Sequence, residues 1–375
     1  MFVGGGYDEG YENDTYNPSI SQGAGVYMFD ADNGKLLWWA SAKATTAQGA
    51  EAYTQSDNLK YSVVSEIRTE DRNGDGLIDH LYFGDLGGQL FRIDLDNTAT
   101  TNANFAKPPQ LLLNLNNGAA SPRFYEMPAF SVYDYNGTTF AVVSIGSGNR
   151  SKPLAQYAAG QGYKYDAVYN IYDKDVADRN LYKADFVYQT PITNTNQLGE
   201  ITNSNWNTYD DGAVALLSAT RGWFYQFKST NIQDAKVFST PIVLNHRMFV
   251  STFDGGKAGM SGDCGAGVKG ESFLNQFCMP FGQCSKSTLA AENSSVQCAP
   301  GTNCSQGAGI QDTAVVDDGG NNNDGGGGGG GGSNGSTNNK NYCVNMGNRG
   351  VTTIGGIIAS SSSKMCLIPQ RWYVR

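Results

Sequence analysis

The sequence predicts an all-β protein, and three observations support this. Of 375 residues, 43 are aromatic and 48 are glycine, and aromatic residues favour strands while glycine fills the turns between them. A short apolar segment that ends in Asp-x-Asp recurs along the chain. Several pairs of apolar segments are separated by tight-turn residues. The chain is long enough to bury a large core, so a small scaffold held together by cross-links is ruled out.

The recurring segment is VYMFDADN at 26–33, LFRIDLDN at 90–97 and, in a weaker copy, YNIYDKD at 169–175. The first copy passes through Asn33-Gly34 into Lys35 and the apolar residues 36–38, which predicts strand, turn and strand. Irregularly spaced repeats that each supply a few antiparallel strands favour a partial β-propeller over a solenoid. At about 40–60 residues per blade, we expect about four or five blades. A β-sandwich is the alternative, but it gives no reason for the repeat.

Hairpins are predicted at three further places. Residues 130–133 and 140–146 are joined through Asn136-Gly137, and residues 241–244 and 248–253 through Asn245-His246. In the third, residues 61–64 lead to 81–84 through the polar segment 71–79. This segment replaces a tight turn.

The composition divides the chain into three parts. Residues 1–254 carry the repeats and are expected to form the propeller blades. Residues 255–340 are rich in Gly, Ser and Cys, and include the glycine run 325–332, so we expect a long insertion that is largely irregular and flexible. Residues 341–375 become strand-like again and are expected to return to the propeller.

Charge and cysteine content bear on the surroundings of the protein. The net charge of −9 makes nucleic acid a poor default partner, and no apolar run reaches the ~18–20 residues of a membrane span. All seven cysteines lie in the last third, where disulfides would stabilise loops in an oxidising compartment. The start at Met1 lacks the pattern of an export signal. We therefore expect the natural protein to begin upstream and to be extracytoplasmic.

Segment 71–79 has the spacing of a calcium loop. Oxygen-bearing side chains stand at loop positions 1, 3, 5 and 9, and Gly76 stands at position 6, where the chain must turn sharply. Three aspartates held this close would repel one another without a cation. Ca²⁺ suits such a set better than Mg²⁺ or zinc. The predicted ligands are Asp71, Asn73, Asp75, Leu77 through its backbone carbonyl, and Asp79.

The calcium prediction departs from the helix–loop–helix pattern. Position 12 would be a bidentate Glu, and here it is Tyr82, within a strand-like segment. We therefore predict a strand–loop–strand site completed by water or by a nearby group such as Glu70. A polar Asx-rich turn without metal is the alternative.

Other motifs carry little weight. Residues 265–270 match GxGxxG but lack the strand before and the helix after that a dinucleotide site requires. Residues 331–335 formally match a nucleophile elbow, but they lie in the glycine tract. His80 and His246 are the two histidines, and a packed or turn-exposed His80 is favoured over a catalytic base.

The stretch from 71 to 94, DRNGDGLIDHLYFGDLGG followed by LFRID, resembles the C-terminal propeller of the PilC/PilY family of type IV pilus biogenesis proteins and tip-associated adhesins. Residues 145–150, Gly222-Trp223 and 239–243 are also similar. The resemblance covers most of residues 1–254 and leaves 255–340 unmatched.

This resemblance implies Ca²⁺ on the five loop residues and a non-enzymatic role in pilus biogenesis, surface attachment and twitching motility, with calcium controlling extension and retraction. It implies pilus subunits (minor pilins) and a host or abiotic surface as partners, at the fimbrium or outer-membrane cell surface. A quinoprotein dehydrogenase propeller is the enzymatic alternative, but the adjacent cysteine pair usual there is missing. A purely structural cell-surface propeller is the third reading.

Overall fold

The fold is known from a computed structural model, which describes residues 1–46, 49–155, 166–206, 220–229, 232–233, 235–244, 246–259, 267–285, 298, 304–318, 342–345 and 364–371. In these ranges the chain forms strands and a few 3₁₀ turns, without an α-helix. The prediction of an all-β fold is confirmed. The 3₁₀ turns are Glu9–Glu12, Asn102–Asn104, Asp175–Ala177 and Thr195–Gln197.

The first sheet has four strands in chain order. These are β1 (Phe2–Gly4), β2 (Val26–Phe29), β3 (Leu36–Ser41) and β4 (Ala52–Gln55). The β2–β3 hairpin turns at Gly34, whose φ of +73° suits glycine and few other residues. The predicted strand, turn and strand after residue 26 are therefore confirmed. Strand β4 runs parallel to β3, and the other pairs are antiparallel.

The second sheet is an antiparallel meander. Its strands are β5 (Arg68–Glu70), β6 (His80–Gly84), β7 (Gln89–Asp94) and β8 (Gln110–Asn114). Strand β6 pairs with β5 on one side and β7 on the other, so the predicted pairing of 61–64 with 81–84 is wrong. Residues 61–64 are the more strand-like by composition. The segment that pairs with β6 is instead the shorter and more polar β5, which directly precedes the loop. The hydrogen bond from Asp79 N–H to Glu70 O, at 2.9 Å, closes the loop between these two strands.

The third sheet has five strands, in the order β12–β13–β11–β10–β9. They are β9 (Ala129–Tyr135), β10 (Thr138–Gly146), β11 (Ala167–Asp173), β12 (Gly199–Ile201) and β13 (Gly222–Gln226). The β9–β10 hairpin turns at Asn136 and Gly137, both with positive φ, as the Asn-Gly pair predicts. A small hairpin follows it, formed by β14 (Lys228–Ser229) and β15 (Ile232–Gln233).

The fourth sheet crosses the expected boundary at residue 254. Its strands are β16 (Lys236–Val237), β17 (Ile242–Leu244), β18 (Arg247–Asp254), β19 (Glu271–Cys278) and β20 (Ser305–Ala308). The predicted β17–β18 pairing is confirmed. Strands β19 and β20 come from the segment 255–340, whose composition predicts largely irregular structure. The difference has a local cause, because Leu274 and Phe277 give β19 an apolar residue on each face.

Disulfides and a separate sheet complete the described chain. Cys278 is bonded to Cys284, and Cys298 to Cys304. A three-stranded antiparallel sheet has β23 at its centre. It consists of β21 (Gln311–Asp318), β22 (Tyr342–Asn345) and β23 (Lys364–Arg371). The glycine run 325–332 and the elbow-like motif 331–335 lie outside the described residues, as do residues 265 and 266 of the GxGxxG match.

Successive sheets pack face to face, because alternate residues of a strand point to opposite faces. In β6, Leu81 and Phe83 join Trp38 in a cluster with the first sheet, and Tyr82 joins a cluster with the third. In β10, Val143 faces the second sheet, and Val142 joins Met248, Phe277 and other residues in a cluster with the fourth. The second and third sheets are thus covered on both faces, which explains their nearly continuous apolar strands.

Candidate functional site

The predicted loop lies between two paired strands of the second sheet. Residues 71–79 connect β5 to β6, and the Asp79–Glu70 backbone hydrogen bond closes the neck of the loop. The flanking segments are strands, as the period-two pattern around Tyr82 predicts. The strand–loop–strand arrangement is therefore confirmed, while metal binding by it stays a prediction.

Asp71 organises the loop from its first position. Its Oδ1 accepts from Gly74 N–H at 2.7 Å and its Oδ2 from Gly76 N–H at 2.8 Å. Hydrogen bonds from backbone N–H groups, that of Gly76 first, lower the pKa of Asp71. Gly74 and Gly76 have φ of +77° and +87°, so glycine at both positions lets the chain curl around this carboxylate.

The middle of the loop consists of two short turns. Asn73 Oδ1 accepts from Asp75 N–H at 2.9 Å, and Asp75 Oδ1 accepts from Leu77 N–H at 2.8 Å. Such bonds two residues along the chain are Asx turns. The Leu77 side chain is 51 % exposed, so this residue contributes its backbone rather than any packing. Asn73 and Asp75 are likewise exposed.

Asp79, at the ninth position, is buried and fixes the loop to the sheet. Its Oδ2 accepts from Arg72 N–H at 2.9 Å and its Oδ1 from Asn97 Nδ2 at 3.0 Å. Asn97 also donates to Ile78 O at 3.1 Å. The sequence analysis did not select Asn97 as a site residue, although it closes the second copy of the repeat. The recurrence of Asn at 33 and 97 was the available signal.

The donor set fits calcium chemically. All five predicted ligands offer oxygen, three of them as carboxylates, and Ca²⁺ takes such ligands in flexible geometry. The described residues include the whole loop, and among them no group of three or more acidic, histidine or cysteine side chains is arranged to hold a metal ion. Backbone N–H groups occupy part of the acceptor capacity of Asp71 and Asp79. The structure thus brings the ligands onto one curled loop without drawing the carboxylates together.

A buried ion cluster lies directly behind the loop. His80, the residue after Asp79, is 1 % exposed, and its Nδ1 lies 2.8 Å from Asp94 Oδ1. Since an ionised carboxylate only accepts, Nδ1 carries the proton in this contact. The Arg92 guanidinium is also bound to Asp94, through Nε at 2.8 Å and Nη2 at 3.1 Å. Burial acts to raise the pKa of Asp94, but the bond from His80 and the Arg92 charge outweigh it and lower the pKa.

The same arginine joins the second sheet to the third. Arg92 Nη1 donates to both oxygens of Asp173, at 2.6 and 2.7 Å, and Tyr82 Oη donates to Asp173 Oδ2 at 3.1 Å. Asp94 and Asp173 belong to two copies of the Asp-x-Asp repeat. We call Arg92, Asp94, Asp173, His80 and Tyr82 the Arg92 cluster. His80 is packed in the core, as the sequence favours, and it is bonded to Asp94.

The loop also contacts the third sheet directly. Arg72 Nη2 donates to Asp178 O at 2.7 Å, and Asp178 lies in the connection that follows β11. The Arg72 backbone, in turn, donates to Asp79. The loop is therefore bonded to the third sheet through Arg72, and it is also connected to the Arg92 cluster through the strand that carries His80.

Comparison with known proteins gives a likeness to solved structures alone. No protein-family model matches the chain, and no curated protein does. The chain is similar to the crystal structure of the Pseudomonas aeruginosa PilY1 C-terminal domain, with a TM-score of 0.42 and 15 % identity over 69 % of this chain and 53 % of that one. The chain thus spans about half of the length of that domain.

No helix in the described ranges is long and apolar enough to cross a membrane.

Proposed function

We propose that this chain is a calcium-binding β-propeller of a type IV pilus assembly or tip adhesin, without enzymatic activity. The observation that carries the proposal is the strand–loop–strand segment 71–79, whose five oxygen donors keep the calcium spacing and which resembles the PilC/PilY family through to Asp94. The stacking of the four sheets supports a blade-like arrangement.

In this proposal Ca²⁺ binds Asp71, Asn73, Asp75, the Leu77 carbonyl and Asp79. A bound cation would neutralise the aspartates, while the neutral N–H groups now facing them leave their charge in place. The loop is joined to the third sheet through Arg72 and Asp178. Calcium occupancy would thereby set the position of the loop relative to a rigid scaffold and, through it, the extension and retraction of the pilus.

The proposed partners follow from the same class. They are pilus subunits of the minor pilin kind and a host or abiotic surface, met at the fimbrium or outer-membrane cell surface. The role is in pilus biogenesis, attachment and twitching motility. Loops displayed on a packed β scaffold are suited to such contacts, because they can vary without disturbing the core.

Calorimetric titration with Ca²⁺ tests the metal site. We expect the wild type to bind Ca²⁺ with a dissociation constant on the order of 10⁻⁴ M, which is the range of extracellular calcium modules. Asp75→Ala should abolish the heat and leave the fold intact, because Asp75 is exposed and bonded only within the loop. Asp32→Ala is the matched control, since Asp32 is an exposed aspartate in the Asx turn made by Asp30.

Cells that carry Asp75→Ala or Asp32→Ala in the natural protein test the pilus role. We expect fewer surface pili and reduced twitching only with Asp75→Ala. If the protein binds calcium in vitro but both strains have unchanged pili, the ion has only a structural role. If the wild type gives no heat in the calorimetric titration, the site itself is refuted.

A further inference from the structure

A small aromatic cleft lies at the junction of the third and fourth sheets, away from the calcium loop. Its volume is about 190 Å³. Three elements form it: the tip of the β9–β10 hairpin, the end of β11 and the loop closed by the Cys278–Cys284 disulfide. Its walls include Tyr135, Tyr172 and Phe281, and its rim includes Asn136, Thr138 and Lys174.

The aromatic walls are held rigidly. Phe281 packs edge-on against Tyr135 with 4.7 Å between ring centroids, and at a similar angle against Tyr172 at 6.3 Å. Pro280, the residue before Phe281, accepts from Trp223 Nε1 at 2.7 Å and from Tyr172 Oη at 3.3 Å. The disulfide loop is therefore fixed on the third sheet from several sides. Such preorganised rings cost a ligand little ordering.

The rim is polar and carries an uncompensated cation. Asn136, Thr138 and Lys174 are exposed. The neighbours of Lys174 in the chain are both acidic, but Asp173 is bound to Arg92, and Asp175 accepts from Gln189 N–H at 3.0 Å. No ion pair of Lys174 occurs among the described residues. In a chain of net charge −9, an ammonium group beside an aromatic cleft favours an anionic ligand.

Size and chemistry together define that ligand. Aromatic walls with a few polar groups at the mouth are typical of small-ligand sites, and a volume of about 190 Å³, below the roughly 300–1,000 Å³ of sites for drug-sized ligands, limits the occupant to a single ring. Aromatic cages also bind quaternary ammonium groups, but the Lys174 charge would repel them. We propose that the cleft binds a sugar ring that carries a carboxylate, with a ring face on Tyr135 and Phe281 and the carboxylate at Lys174. This inference does not rest on the proposed function.

Ligand-observed NMR and calorimetry on the full chain test the proposal, with methyl β-glucuronide as probe and methyl β-glucoside as its neutral match. We expect a dissociation constant on the order of 1 mM for the glucuronide, which is usual for ligands of this size, and binding of the glucoside weaker by about fivefold or more. Lys174→Gln should remove this difference. Lys183→Gln, which alters an exposed lysine outside the cleft, should not.

The aromatic wall is tested by Tyr135→Leu, which keeps an apolar side chain but removes the ring face. Tyr135 is only half-buried, so folding should survive, as circular dichroism can verify. We expect this variant to lose binding of both the glucuronide and the glucoside. Failure of the wild type to bind, equal binding of the two sugars, equal effects of the two lysine variants, or tighter binding of benzoate than of the glucuronide would each overturn the proposal.

Discussion

The aspartates of loop 71–79 and those of the Arg92 cluster are stabilised in different ways. The two groups are adjacent, because the loop ends at Asp79 and the next residue, His80, belongs to the cluster. In the loop, Asp71 is partly exposed, and its hydrogen bonds come from the N–H groups of Gly74 and Gly76. In the Arg92 cluster, Asp94 and Asp173 are buried, and their hydrogen bonds come mainly from a guanidinium group.

The difference concerns charge. A backbone N–H group is a neutral dipole, so the negative charge of the loop remains available to a cation from solution. Arg92 places a positive charge between two buried carboxylates, which would otherwise lie in the core without a cation. The kind of donor that satisfies the carboxylates, rather than their number, distinguishes a candidate metal loop from a structural cluster.

Removal of Arg92 should have the largest effect. In Arg92→Met, Asp94 and Asp173 lose their cation while still buried, which we expect to cost about 3–5 kcal/mol of unfolding free energy. Lys107→Met is the control, because Lys107 pairs at 3.1 Å with the partly exposed Asp96 of the same repeat unit and should cost no more than about 1 kcal/mol. Urea unfolding at pH 7 measures both. Equal losses would show that Arg92 does not stabilise the buried carboxylates as described.

Asp94→Asn should act next in size, by about 2–3 kcal/mol at pH 7. The pKa of Asp94 is lowered in the folded state, so its ionised form stabilises the fold at pH values above its unfolded pKa of about 3.9. This stabilisation is lost as the pH falls through the folded pKa. The difference in unfolding free energy between wild type and variant should therefore shrink below about pH 4. A constant difference from pH 7 to 3 would contradict the assignment.

Paired glycine variants separate strain from metal binding. Gly76 and Gly34 have φ of +87° and +73°, and an added Cβ would meet no atom within 4 Å at either position. Alanine at each should therefore cost about 1–2 kcal/mol of backbone strain. Only Gly76→Ala should also weaken calcium binding, roughly tenfold, because its strain falls on the loop that carries the ligands. Calcium titration of both variants decides; equal affinities would place the ion elsewhere.

Arg72→Ala should have the smallest effect on stability, about 1 kcal/mol or less, since it removes one hydrogen bond at the surface. Its effect should be local. We expect faster hydrogen exchange at residues 178–181 and unchanged exchange in β8. Unchanged exchange at 178–181 would show that the loop is not coupled to the third sheet by this contact.

Local features of the sequence predicted much of the fold and the loop. The Asn-Gly turn at 136–137 and the spacing within 71–79 depend on neighbouring residues, so they can be interpreted without knowledge of the tertiary fold. The pairing of β5 was missed because Arg68–Glu70 is short and polar, and the residues at 61–64 have a higher strand propensity. Tertiary closure of the loop overrode that propensity.

The Arg92 cluster could not be predicted in the same way. Arg92 and Asp173 are 81 residues apart and meet because two sheets stack. The sequence showed that the Asp-x-Asp unit recurs, but not that two copies would share one arginine. Asn97 was missed for a similar reason, since its contact with Asp79 crosses 18 residues. A side chain that forms hydrogen bonds with a residue distant in sequence can be assigned its partner only when the fold is known.

The alternation along the central strands has an evolutionary consequence. Tyr82 contacts Phe130 of the third sheet, with 5.2 Å between ring centroids, whereas Leu81 and Phe83 belong to the interface with the first sheet. Odd and even positions of one strand are thus under selection from different neighbours. A substitution at Tyr82 should be compensated in the third sheet, and one at Phe83 in the first. Related sequences should therefore covary in two separate sets that share a strand without sharing partners.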